Sequence, residues 1–281
     1  MPLLGIGKID EYRHGEWRAR ELQAFCEGVK IFDDGSWFFQ KDFVLPDRTD
    51  PTESSLSKLL ATDFETLLEI KRRDGGTFQW LLQLPAFGLP WLTLSPDVVS
   101  MSAVLDVSLE LSFARETSEK TAPDPPGETT TSASTIAPMT NEDSFQLPLI
   151  PYLYGGGKSK EGKLSPAILA KLKTFCEEVE STDDGQWSLR ADICTADYLQ
   201  LFSGELFDFL TGAFTTLLQL KTAHGGDFHL MVTFSASTLV DAQFRPEVVN
   251  MCSALGMSID VVTVDEHGRP LNPPQTLPLP G

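Results

Sequence analysis

The thirteen residues FCEGVKIFDDGSW at 25–37 return at 175–187 as FCEEVESTDDGQW. This recurrence constrains the fold more than any other feature of the chain. Sliding the sequence against itself by 150 positions, without a gap, gives about 34 identities over about 113 positions. They include Leu22, Phe25, Cys26, Glu27 and Val29 on Leu172, Phe175, Cys176, Glu177 and Val179, and Phe64, Thr66, Leu67, Leu68 and Lys71 on Phe214, Thr216, Leu217, Leu218 and Lys221. Pro96, Val98, Val99, Met101 and Leu105 fall on Pro246, Val248, Val249, Met251 and Leu255. An internal duplication predicts two similar folded units, spanning 1–113 and 149–265. Residues 114–148 between them are rich in Thr, Ser, Pro and Glu and too poor in apolar residues to offset the entropy of ordering, so they read as a flexible linker. The tail 266–281 is Pro-rich and reads as irregular or extended.

Within each unit the periodicities repeat. Residues 18–31 and 166–180 have the spacing of an amphipathic helix, with Ser165 as N-cap and Pro166 in the first turn. SWFFQKDFVL and QWSLRADIC alternate as strands do. A second helix is expected over about 55–73 and 203–223, ended by Gly75 and Gly225. The strands TFQWLLQL and DFHLMVTF follow, then a short helix opened by Ser95 and Pro96 in the first copy and by Pro246 in the second. VSLELSF and MSIDVVTV close the units as strands. Helices and strands mix without βαβα regularity, which predicts an α+β class.

The chemistry-bearing motifs are few. GGGKS at 155–159 resembles a phosphate loop, but the motif requires glycine at position 152, which is Tyr, and the first copy reads GIGKI. A glycine turn leading into the first helix is the simpler expectation. Asp33–Asp34 and Asp183–Asp184 are paired carboxylates of the kind used in acid–base work or cation binding. Each pair precedes Gly and Trp, as a turn entering a strand would. Trp37 and Trp187 read as core anchors. His14, His224, His229 and His267 provide no site common to the copies, because Asp74 matches His224 and Gln79 matches His229. Cys26, Cys176, Cys194 and Cys252 form no CxxC pair, which predicts reduced, buried thiols and no metal or other cofactor. Where the first copy has PAFGLPWLTL at 85–94, the second has SASTLVDAQF. Phe87, Leu89 and Trp91 of the first are candidate partner-binding anchors, to be weighed against packing on the core or on the other unit.

Forty acidic against 22 basic residues give a formal net charge of −18. It is spread as about −7 over 1–113, about −4 over 114–148 and about −7 over 149–281. Such a chain is repelled by nucleic acid and by anionic membrane surfaces, and its long-range attraction is for something basic. The opening MPLLGIGKIDEYRHG lacks the pattern of a secretory signal, and no apolar run reaches membrane-span length, so a cytoplasmic location is expected.

The later part of each unit combines a double-leucine helix, a Gly-Gly stop, a strand, a Pro-started helix at SPDVV or RPEVV, and a closing strand. In this it resembles small α+β domains of bacterial immunity proteins. The resemblance covers about half of each unit and implies a non-enzymatic protein that neutralises a cognate secreted toxin by stoichiometric binding. Its acidity matches a basic effector toxin as partner, with Asp33, Asp34, Asp183 and Asp184 beside the Phe87, Leu89 and Trp91 loop as candidate contacts. Two other readings stay open: an enzyme with an inter-domain site built on the paired aspartates, and an intracellular adaptor or scaffold.

Overall fold

The computed structural model describes residues 2–8, 28–32, 36–42, 63–72, 76–85, 92–114, 151–193, 204–235 and 242–264. The fold is α+β, with helices packed against two mixed six-stranded sheets. In chain order the elements are β1 (Pro2–Lys8), β2 (Lys30–Ile31), β3 (Ser36–Asp42), α1 (helical over 63–72), β4 (Thr77–Pro85), β5 (Leu92–Leu94), α2 (Pro96–Val104) and β6 (Val107–Ala114). The second half follows with β7 (Pro151–Lys158), α3 (Pro166–Leu172), β8 (Glu178–Ser181), β9 (Gln186–Asp192), α4 (Glu205–His224), β10 (Asp227–Ser235), β11 (Ala242–Phe244), α5 (Pro246–Ala254) and β12 (Ser258–Val264).

The first sheet runs β11-β6-β4-β1-β3-β2 and the second β5-β12-β10-β7-β9-β8. β4 pairs with β6, and β10 with β12, in parallel; every other pairing is antiparallel. Each sheet therefore takes its last strand from the opposite half. Leu92 and Leu94 of the first half lie opposite Val261 and Ile259 of the second, and Phe244 of the second lies opposite Leu109 of the first. The local sequence explains why so short a segment forms a strand. LTL turns two leucines to the core and Thr93 away from it, and Ser95 with Pro96 then opens a helix. Leu92, Leu94 and Phe244 are buried, each burial contributing about 1.5–3 kcal/mol. α2 and α5 pack on each other, and one continuous apolar core joins both halves.

The helix ends are held alike in the two halves. Lys71 of α1 donates to the Leu105 carbonyl at the end of α2 (2.8 Å), and Lys221 of α4 donates to the Leu255 carbonyl at the end of α5 (2.7 Å). A cation at these carbonyls also complements the helix dipole. Trp37 and Trp187 are both buried, each beside the phenylalanine-bearing strands of its sheet.

Two local expectations are corrected. The GIGK and GGGK segments are no turns; they lie in β1 and β7, each flanked by a strand on both sides. The glycines permit close approach inside a sheet: a Cβ on Gly155 would enter the Phe228 ring, and one on Gly157 would meet the Gly225 carbonyl. The helix expected over 166–180 ends at Leu172, where the Cys176 N–H closes back on the Leu172 carbonyl. Residues 178–181 then form β8, because alternating exposed glutamates and half-buried Val179 and Ser181 suit a strand at the sheet margin.

Candidate functional site

Asp183 and Asp184 lie in the turn between β8 and β9 and are exposed. Asp184 accepts from the Thr182 hydroxyl, which holds its carboxyl below the usual carboxylate range, helped by a backbone N–H. Asp183 forms an exposed ion pair with Lys163 (3.4 Å). β8 is the terminal strand of the second sheet, five positions from the exchanged β5, so these aspartates stand about 24 Å across the sheet from the strand that joins the halves. Asp33, Asp34, Phe87, Leu89 and Trp91 lie outside the described residues.

Along this margin Glu177, Glu178, Glu180, Asp183 and Asp184 are all exposed within eight residues. The Thr182 N–H donates to the Gln186 carbonyl, so in the antiparallel ladder Val179 and Ser181 turn their backbone groups toward the free side of β8. The matching strand of the first sheet, β2, carries Lys30 and Ile31, followed by an exposed Phe32 where the second half has Thr182. Where the second margin has Glu178 and Glu180, the first has Gly28 and Lys30.

A second cluster escaped sequence reasoning. The face of the second sheet opposite the helical core carries Thr93 (β5), Ser258 and Asp260 (β12), His229 (β10), Tyr152 and Tyr154 (β7), and Arg190 (β9). Asp260 is 3% exposed. Its carboxylate accepts from the Thr93 hydroxyl (2.6 Å) and the Tyr154 hydroxyl (3.2 Å) and lies 3.4 Å from His229 Nδ1. The Tyr154 ring stacks on the His229 imidazole, centroids 4.6 Å apart and planes 5° from parallel. Arg190 sits over the Tyr152 ring at 5.2 Å and pairs with Asp192. Burial, reinforced by the Asp260 charge, pushes the Tyr154 phenol above its ordinary range and keeps it a donor.

The arrangement contains Ser, His and Asp without forming a nucleophilic relay. Ser258 Oγ lies 2.6 Å from His229 Nδ1, the same ring nitrogen that faces Asp260. A relay needs serine and carboxylate on opposite ring nitrogens. The other Ser–His contact, Ser159 Oγ to His224 Nδ1 at 3.0 Å, is buried between the end of β7 and the end of α4, and the Glu161 N–H also donates to Ser159. Cys176 and Cys252 are buried, and burial pushes both thiols up to about 12, so they stay protonated at neutral pH. Among the described residues no group of three or more His, Cys, Asp or Glu is placed to hold a metal ion, and no helix is long and apolar enough to cross a membrane.

No protein-family model, no curated protein and no solved structure matches this chain.

Proposed function

We propose that the chain is a non-enzymatic binding protein whose partner is a basic protein, and that it acts as an immunity protein, neutralising a secreted effector toxin stoichiometrically in the cytoplasm. The observation that carries this reading is the margin of the second sheet. Five exposed carboxylates between Glu177 and Asp184 follow a strand with outward-facing backbone groups, in a chain of net charge −18. Opposite charge steers a basic partner to this margin, and alternating Glu178 and Glu180 match basic side chains on an extended segment of it. The matching strand orders of the two sheets favour descent of both halves from one duplicated unit.

The test uses the full chain and its E178K/E180K variant as bait in lysate of the source organism, at low and high salt. The reading expects one dominant basic protein, bound one to one, released as salt rises, lost by the variant, and toxic to cells unless the chain is co-expressed. Retention of no protein, or of one indifferent to both salt and charge reversal, would sink it.

A further inference from the structure

What holds the two halves together is a separate matter from what the chain binds. Each half extends one strand, β5 or β11, and receives the other, while α2 and α5 pack on each other. Six residue pairs join the sheets across the halves: Leu92, Thr93 and Leu94 with Val261, Asp260 and Ile259, and Ala242, Gln243 and Phe244 with Leu111, Glu110 and Leu109. The side chains of Leu92, Leu94 and Phe244 enter the core on the receiving side, and α2 packs on α5. The polar contact is equally specific. The buried Asp260 carboxylate of the second half is completed by the Thr93 hydroxyl of the first. None of these contacts uses residues 115–150.

We infer that the exchanged strands are a self-sufficient interface, so that each half is a protomer whose fitting partner is the other half, with or without a covalent connection between them. The exchange is reciprocal, as in a two-fold dimer, with the same elements given and received on both sides. A short strand edged with apolar residues, standing alone, would leave Leu92 and Leu94 in water and the β12 margin without its neighbour. Association removes both penalties at once.

The experiment places a specific protease site within 115–150 of the full chain, cuts the folded protein, and measures mass by light scattering and native mass spectrometry on dilution. The cut protein is expected to remain a one-to-one complex close to the uncut 31.0 kDa down to micromolar concentration or below. Separation into two folded halves at micromolar concentration, or precipitation on cutting, overturns the inference. In the same format T93V, which keeps the shape and removes the hydroxyl, is expected to weaken reassociation about tenfold. An unchanged dissociation constant would overturn the part assigned to the Thr93–Asp260 contact.

Discussion

The outer faces of the two sheets set the same backbone register to different chemistry. In the second sheet His229 lies beside Ser258 on β12, with Asp260 opposite Thr93 of the exchanged strand. In the first, Gln79 lies beside Ser108 on β6, with Glu110 opposite Gln243. Gln79 donates its amide to Glu110, where the second sheet sets an imidazole near Asp260. Leu4 holds the register position of Tyr154. The core faces share Trp37 and Trp187, Phe78 and Phe228, and Leu67 and Leu217, but trade volume at other matching positions: Phe39 against Leu189, Trp80 against Leu230, and Leu94 against Phe244, all buried. A core accepts such apolar exchanges when its total volume is kept, whereas a polar group on the outer face can change only where its hydrogen bonds are satisfied. The two sheets thus share a strand order, while apolar volume varies in their cores and polar chemistry on their outer faces.

The largest effects test whether the halves are truly interlocked. Leu94→Ala should cost about 2–5 kcal/mol and Phe244→Ala about 3–5 kcal/mol in denaturant unfolding. The decisive readout is hydrogen exchange. Leu94→Ala should loosen the amides of β12 in the second half, and Phe244→Ala those of β6 in the first. Loss of protection confined to the mutated half would break the comparison at its root.

Next comes the carboxylate pair. Asp260→Ala leaves the Tyr154 and Thr93 hydroxyls without their acceptor in a buried setting and should cost about 2–3 kcal/mol. Glu110→Ala, in a less buried place, should cost about 1 kcal/mol. The raised Tyr154 pKa gives the pH dependence a sign. The folded protein keeps the phenolic proton that the unfolded chain begins to lose near pH 10, so this contribution is full below that pH and falls as pH rises beyond it. Tyr154→Phe should flatten the alkaline limb of a stability–pH profile; an unchanged limb would remove Tyr154 from the network.

A smaller contrast lies where α2 and α5 end. Gly256 and Asp106 occupy matching left-handed positions, with φ of 57° and 56°. Gly256→Ala should cost about 1–2 kcal/mol, since a Cβ there is strained and would also meet the Lys221 ammonium. Asp106→Gly relieves strain but loses the ion pair with Lys71 (3.3 Å), so its net effect should stay within about 0.5 kcal/mol. Thermal melts of both variants decide this. The smallest effect belongs to Asp184. Its lowered pKa contributes stability above the unfolded value near 4 and loses it as pH falls through the folded value. Asp184→Asn should lower Tm slightly at neutral pH and not at all in strong acid.

Much of the fold was legible because its signals are local. Alternation in SWFFQKD and VSLELSF, and the Ser-Pro start of α2, each act within a few residues. β1 and β7 were not legible, since glycines that permit close packing in a sheet look like glycines that permit a turn. The exchange of β5 and β11 was hidden for another reason: LTL and AQF state which residues turn inward, and say nothing of which sheet receives them. The Asp260 network gathers side chains from four strands, so no spacing encodes it. One signal was available, a carboxylate set among Ile259, Val261 and Val262 in a strand with no other charged residue. A buried charge of that kind requires partners. Of the paired aspartates, the turn reading places Asp183 and Asp184, and it accounts for the Asp184 contact with Thr182, whereas the Asp183 contact with Lys163 comes from outside the turn.

The glycines of β7 carry a warning for genetics. In a deep mutational scan, 155–157 would rank among the least replaceable positions of the chain, because any side chain at Gly155 or Gly157 collides with the neighbouring strand or its connection. Followed by Lys158 and Ser159, that intolerance would imitate the footprint of a nucleotide-binding loop. Its cause would be a shortage of space between three strands, which a loss of stability measured without any ligand would report.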